Sequence, residues 1–122
     1  MIDHICIRVT NYGKTKAFYE KALKPLGLKL NEEYEGTMGG FGADGKSFLW
    51  VIQGEPLTRA THVAFTSRDR KGVDQFYAAA IAAGGKDNGK PGPRPQYSEN
   101  YYGAFVLDPD GNNIEAVCHK AK

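Results

Sequence analysis

Two histidines and one glutamate in this chain have the residue types and spacing of a site for a divalent metal ion. His4 and His62 each begin a stretch rich in β-branched and aromatic residues, "HICIRV" and "HVAFTS". Glu115 stands in the apolar run "NIEAVC", where burying an unpaired carboxylate would be costly. Two neutral imidazoles and a carboxylate suit a first-row metal. Three protein ligands leave positions open for water or substrate, as catalytic sites do.

Each of the three residues also has an ordinary structural explanation. A histidine at the start of a strand is commonly a hydrogen-bonded surface or core residue. A glutamate within a short strand can face solvent, because successive side chains of a strand point to opposite faces. The metal hypothesis therefore depends on evidence that the fold brings these residues together.

An internal repeat supplies that evidence. When the chain is shifted by 58 positions, similar residues coincide without a gap, and after a further insertion of eight residues the offset is 66. The coinciding pairs are His4 with His62, Phe18-Tyr19 with Phe76-Tyr77, Gly27 with Gly85, Asp44-Gly45 with Asp110-Gly111, and Leu49 with Glu115. Two similar sheet units usually pack about a pseudo-twofold axis, so the matched histidines are expected to face one another.

Each copy, about 55 residues long, predicts a strand, a helix and three further strands. Asn11 and Asp69 are candidate N-caps of the two helices, and the Asp-Gly pairs are typical of hairpin turns. We therefore predict an α+β fold of two βαβββ units paired about a pseudo-twofold axis. The single domain spans 1–122, with a first unit at 1–54, a second at 60–122, and a Pro/Gly-rich loop insertion at 86–103.

Composition excludes several classes of function. The chain has 122 residues and a net charge of +2, which is too small to indicate a nucleic acid or an anionic membrane as partner. No apolar run approaches the length of a bilayer span, and the N-terminus does not resemble a signal peptide. The two cysteines do not suggest a disulfide framework. We expect a cytoplasmic protein with reduced thiols.

The repeat and its motifs resemble the vicinal oxygen chelate superfamily, which includes glyoxalase I, extradiol dioxygenases, fosfomycin-resistance transferases and bleomycin-resistance proteins. The resemblance rests on "DHICIRV", "THVAFTS" and "DPDGNNIEAV" in this order. It implies a cupped mixed sheet and one divalent ion, Fe, Zn, Mn or Ni, held by His4, His62 and Glu115. It also implies a small-molecule substrate with vicinal oxygens, Lewis-acid stabilisation of an oxyanion or enolate, and a homodimer.

Further residues are candidates for the substrate pocket. Cys6 follows His4 by two positions and is expected on the same strand face, and Trp50 is a candidate apolar wall. In the insertion, Arg94 could hold an acidic group, while Tyr97 or Tyr102 could donate a proton or a hydrogen bond to an oxyanion. A solvated loop and ordinary core residues are the alternatives.

Several functions stay open at this point. Glyoxalase I usually has a fourth ligand and a base at the position of Leu49, and leucine can be neither, which argues against true glyoxalase I activity. A lyase, isomerase, transferase or dioxygenase reaction fits the remaining ligands. The alternatives are a sequestering protein of the bleomycin-resistance type, without chemistry, and a metal-bound regulator or remnant enzyme that has lost its base.

Overall fold

Two units with the same order of elements make up the fold, which confirms the predicted fold class. The computed structural model describes residues 1–121. The first unit contains β1 (Ile5–Val9), α1 (Tyr12–Leu23), a short 3-10 helix (Lys24–Leu26), β2 (Lys29–Tyr34), β3 (Met38–Ala43) and β4 (Lys46–Gln53). The second contains β5 (His62–Thr66), α2 (Arg70–Ala82), β6 (Lys86–Pro93), β7 (Tyr102–Leu107) and β8 (Asn113–Cys118).

Each unit forms a four-stranded mixed sheet. The strand orders are β1-β4-β3-β2 and β5-β8-β7-β6. The first strand of each unit pairs in parallel with its last strand, and the other pairs are antiparallel. This order places β5, which begins with His62, directly beside β8, which carries Glu115.

Local sequence signals set the helix starts and the first hairpin. The side chain of Asn11 accepts a hydrogen bond from the backbone of Lys14 at 3.0 Å, and that of Asp69 accepts one from Gly72 at 2.7 Å. Both predicted N-caps are therefore confirmed. Asp44 and Gly45 have φ values of 54° and 75°, as a two-residue hairpin turn between β3 and β4 requires.

A β-bulge in the first unit corrects the repeat alignment that matched Leu49 with Glu115. Along β3, Phe41 pairs with Leu49 but Gly42 pairs with Ser47, so β4 contains one extra residue. In the parallel ladders, Cys6 pairs with Trp50, as Ala64 pairs with Glu115 at the matched position of the second unit. Trp50 is therefore the structural counterpart of Glu115.

The helices cover one face of each sheet and leave the other face open. Helix α1 packs against β4, α2 packs against β7 and β8, and the two helices pack against each other. One apolar cluster runs through both units, and its largest fully buried members are Tyr12, Tyr19, Phe18, Phe41 and Phe76. No helix within residues 1–121 is long and apolar enough to cross a membrane.

Polar contacts also join the two units. The hydroxyl of Tyr19 on α1 donates to Asp108 at 2.6 Å, and the hydroxyl of Thr10 donates to Asp110 at 2.6 Å. Both acceptors belong to the "DPDGN" turn between β7 and β8. This turn therefore fixes the strand of Glu115 relative to the first unit.

Candidate functional site

The open face of the second sheet brings His62 and Glu115 into contact. Nε2 of His62 lies 3.0 Å from Oε1 of Glu115. Glu115 is only 1% exposed, whereas the side chain of His62 is 47% exposed. The contact arises because Glu115 pairs with Ala64, two residues along β5 from His62, so that both side chains project from one face.

The hydrogen bond at Nδ1 of His62 determines what its Nε2 can offer to Glu115. Nδ1 of His62 donates to the backbone carbonyl of Asn113 at 3.0 Å. In the neutral tautomer Nε2 then carries a lone pair, and it faces a carboxylate oxygen, which is also an acceptor. Two acceptors repel at this distance. The pair therefore needs either a proton between the two atoms or a cation that both atoms bind.

His4 has a matching arrangement in the first unit. Its Nδ1 lies 2.7 Å from a carboxylate oxygen of Asp3, whose other oxygen accepts from Lys46 at 2.7 Å. Those contacts lower the pKa of the Asp3 carboxyl, chiefly through the hydrogen bond from Lys46. Both histidines thus have Nδ1 engaged by an oxygen and present Nε2, which is the usual arrangement of metal-ligating histidines.

A cavity of about 380 Å³ joins the two histidines. Its lining residues come from both units: Ile2, Asp3, His4, Ile5, Phe48, Leu49, His62, Val63, Ala64 and Phe65. Phe48 and Phe65 meet across it with ring centroids 6.4 Å apart. The matched histidines thus line one cavity, although Glu115 is not among the lining residues of the described chain.

Two of the three predicted ligands contact each other. The 3.0 Å between Nε2 of His62 and Oε1 of Glu115 is the distance of an ordinary hydrogen bond or ion pair. An imidazole nitrogen and a carboxylate oxygen are also donor types that suit a first-row metal. Within residues 1–121, no three His, Cys, Asp or Glu side chains are grouped closely enough to hold an ion, so His4 does not join the pair directly.

Tyr101, which the sequence interpretation passed over, contacts Glu115. Its hydroxyl donates a hydrogen bond to Oε2, the oxygen that does not face His62. Burial, followed by the hydrogen bond to Glu115, raises the pKa of the Tyr101 hydroxyl well above its usual range. Tyr101 therefore remains a neutral hydrogen-bond donor at ordinary pH.

Strand alternation separates Tyr101 from Tyr102. Tyr102 pairs with Cys118 and projects to the helix side, where its hydroxyl donates to Asp74 at 2.7 Å and Arg70 lies over its ring. Tyr101 belongs to the opposite face, which it shares with Glu115. Counting the alternation back from the "DPDG" turn would have placed Tyr101, and not Tyr102, on the face of Glu115.

The other predicted residues of the insertion, Tyr97 and Arg94, contact the rings of Tyr101 and Phe105. Tyr97 is 59% exposed and meets the ring of Tyr101 edge-on, with centroids 5.1 Å apart. The guanidinium of Arg94 donates to backbone carbonyls of Lys90 and Gly92 and lies over the ring of Phe105. Phe105, which the sequence interpretation also missed, stacks on His62.

Cys6 and Trp50 lie side by side on the open face of the first sheet. They pair in the ladder between β1 and β4, and Cys6 is exposed. The ring of Trp50 stacks on Tyr34 with centroids 6.2 Å apart. Among the described residues, neither Cys6 nor Trp50 lines the cavity that the histidines share.

Comparison with known proteins identifies the family. The model of the Glyoxalase/Bleomycin resistance protein/Dioxygenase superfamily matches residues 1–116. The chain belongs to this superfamily. The match covers both sheet units and includes His4, His62 and Glu115 within its range, and it confirms the resemblance drawn from the motifs.

Relatives and solved structures agree with this assignment. A protein of Vibrio parahaemolyticus named "Probable lactoylglutathione lyase" is 32% identical over 133 residues, covering 98% of this chain and 91% of the relative. A glyoxalase/bleomycin resistance protein from Albidiferax ferrireducens has a TM-score of 0.85 at 27% identity, covering 97% of this chain and 98% of that chain. Lactoylglutathione lyase from Agrobacterium tumefaciens, at 18% identity and a TM-score of 0.70, shares the fold over 97% of this chain and 92% of its own.

Proposed function

We propose that this protein is a metal-dependent enzyme acting on a small molecule that presents two neighbouring oxygens. The observation that carries the proposal is the contact between Nε2 of His62 and Oε1 of the buried Glu115. An imidazole nitrogen and a carboxylate oxygen in contact on one sheet face are donor types that suit a first-row metal. Membership in a superfamily that includes dioxygenases and glyoxalases supports the same conclusion.

The residues that would hold the ion are His62, Glu115 and His4. His62 and His4 present Nε2, and their Nδ1 atoms are oriented by Asn113 and Asp3. A bound divalent ion would polarise the substrate oxygens and stabilise negative charge on them. Asp3 and the carbonyl of Asn113 engage Nδ1 of the two rings, and His4 has to approach His62 and Glu115 for all three to bind one ion.

The cavity indicates the substrate class. Most of its lining side chains are apolar, and no lysine or arginine is among those that the described residues supply. Such a wall suits an uncharged ring or alkyl group attached to the vicinal oxygens. Tyr97, which is exposed beside Tyr101, is the residue of the insertion that we propose to donate a proton to substrate.

The same geometry argues against glyoxalase I activity. The substrate of that enzyme is a glutathione adduct with carboxylates at both ends, for which this cavity provides no cationic side chain among its described lining residues. The counterpart of Glu115 in the first unit is Trp50, which cannot serve as fourth ligand or base. We therefore propose that the chemistry differs from that named for the Vibrio relatives.

One observation favours a second candidate, a binding protein of the bleomycin-resistance type. Within the described residues His4 is not grouped with the other two predicted ligands. A proton alone could then connect His62 and Glu115, and the cavity would only bind its ligand. The predicted homodimer stays a prediction.

A reaction screen on metal-loaded protein tests the proposal. We expect no lactoylglutathione from methylglyoxal and glutathione, but turnover of a catechol with oxygen uptake, or of an epoxide with thiol consumption. Glu115→Ala should remove that turnover, and Glu99→Ala, an exposed glutamate in the insertion, should leave it unchanged.

Two results would contradict the account. Lactoylglutathione formation that depends on Glu115 would overturn the substrate argument. Metal-independent binding of an aromatic ligand, without turnover in any assay, would favour the sequestering protein.

A further inference from the structure

We propose that Tyr101 is a positioning residue that makes Glu115 a ligand through one oxygen only. The inference rests on the metal site of the proposed function. The hydroxyl of Tyr101 donates to Oε2 of Glu115, while Oε1 faces Nε2 of His62 at 3.0 Å. With Oε2 occupied in this way, only Oε1 is free to bind an ion beside His62.

The backbone of Tyr101 is fixed by the loop that precedes it. The carbonyl of Tyr101 accepts a hydrogen bond from the backbone N–H of Arg94 at 2.7 Å, which closes the loop between β6 and β7. The N–H of Tyr101 donates to the carbonyl of Ser98 at 3.3 Å. The inserted segment therefore fixes the backbone of Tyr101 immediately before β7.

The ring of Tyr101 is held from two further sides. Tyr97 and His119 both meet it edge-on, with centroids 5.1 and 5.2 Å away. Edge-to-face contacts of this kind restrict the position of a ring beyond what burial alone does. These contacts therefore restrict the directions in which the hydroxyl of Tyr101 can point.

Gly103 provides the space that the contact needs. A Cβ atom at this position would lie 3.1 Å from Oε2 of Glu115 and 3.1 Å from Cε1 of Tyr101. Both distances are shorter than ordinary van der Waals contact, so a Cβ atom here would require Glu115 and Tyr101 each to shift by a few tenths of an ångström. The absence of a side chain at Gly103 therefore allows the observed contact between them.

The burial of Glu115 keeps water away from its hydrogen bond with Tyr101. Glu115 is 1% exposed, so water is poorly placed to replace the hydroxyl of Tyr101 at Oε2. Without that hydroxyl, the carboxylate would be free to rotate, so that Oε1 would no longer be held beside Nε2 of His62 and Oε2 could approach an ion. Hydrogen-bonded partners of ligands commonly change metal affinity by roughly 10- to 100-fold.

Titration with Co²⁺ and Zn²⁺ tests the inference through affinity and the visible absorption of Co²⁺, which reports coordination number. We expect Tyr101→Phe to weaken Zn²⁺ binding by roughly 10- to 100-fold and to change the Co²⁺ spectrum. Gly103→Ala, which keeps the hydroxyl but displaces it, should weaken binding in the same direction. Tyr102→Phe loses a hydroxyl on the opposite face and is the matched control, with wild-type affinity and spectrum.

The outcomes separate this inference from the proposed function. If wild type binds Co²⁺ and Tyr101→Phe matches its affinity and spectrum, the positioning role is overturned while the metal site stands. If wild type binds neither ion, the proposed function and this inference are overturned together. Circular dichroism verifies that each variant is folded, and Gly103→Ala decides the question if Tyr101→Phe is not.

Discussion

Glu115→Gln is expected to leave the metal-free protein at least as stable as wild type and to abolish its stabilisation by metal. The glutamine oxygen can accept from Tyr101, and its amide can donate to the lone pair on Nε2 of His62. A buried acceptor pair thereby becomes a satisfied neutral network. An amide nitrogen does not bind the ion, so the ligand is lost.

Thermal unfolding measures both effects. For wild type, metal at 100 times its Kd should stabilise the fold by about 2.7 kcal/mol, whereas Glu115→Gln should gain nothing. Glu99→Gln, in the exposed insertion, serves as the control and should behave as wild type. If metal-free Glu115→Gln loses more than about 2 kcal/mol, Glu115 is a structural partner rather than a ligand kept at a cost in stability.

The second large effect is expected at Asp108, where alanine should destabilise the fold by about 3 kcal/mol. The carboxylate is 5% exposed and accepts from the backbone N–H groups of Asp110 and Asn112, each at 2.9 Å. It also accepts from the Asn112 amide and the Tyr19 hydroxyl. Alanine leaves these buried donors without their partner.

A neighbouring aspartate in the same turn provides the control. Asp110 accepts from the backbone and hydroxyl of Thr10 in an exposed position, so Asp110→Ala should cost about 1 kcal/mol. Urea denaturation of both variants gives the comparison. If Asp108→Ala cost no more than Asp110→Ala, the turn would not hold the two units together in the way described.

The sequence predicted the elements well because their signals are local. Asn11 and Asp69 cap helices through their own side chains, and the turn at Asp44 and Gly45 depends on two residues. His4 and His62, which match in the repeat, also line the same cavity, because no insertion separates the two copies over that stretch.

The counterpart of Glu115 could not be read from the sequence, because a bulge leaves no clear local signal. Phe48 is the extra residue of β4, and it shifts the structural match from Leu49 to Trp50. Neither leucine nor tryptophan can coordinate a metal, so neither alignment provides a fourth ligand. The counterpart of Glu115, however, lies on the open face of the sheet and not on the buried face that Leu49 occupies.

The sequence also does not show which of two adjacent tyrosines shares the sheet face of Glu115. Tyr101 and Tyr102 are chemically identical, and only strand register decides which of them faces Glu115. Register across β7 and β8 depends on the tertiary turn at Asp108, whose hydrogen bonds include one from the other unit. Residue type alone therefore could not identify the partner of the carboxylate.

Elemental analysis of bound metal tests the central claim most directly. The protein is purified without a histidine tag, beside Glu115→Ala and His62→Ala, and each is reconstituted with Fe²⁺, Zn²⁺, Mn²⁺ and Ni²⁺ in turn. We expect close to one ion per chain in wild type and a large loss in both variants. Wild type that retains none of the four ions, or variants that retain as much as wild type, would contradict a metal site at His62 and Glu115.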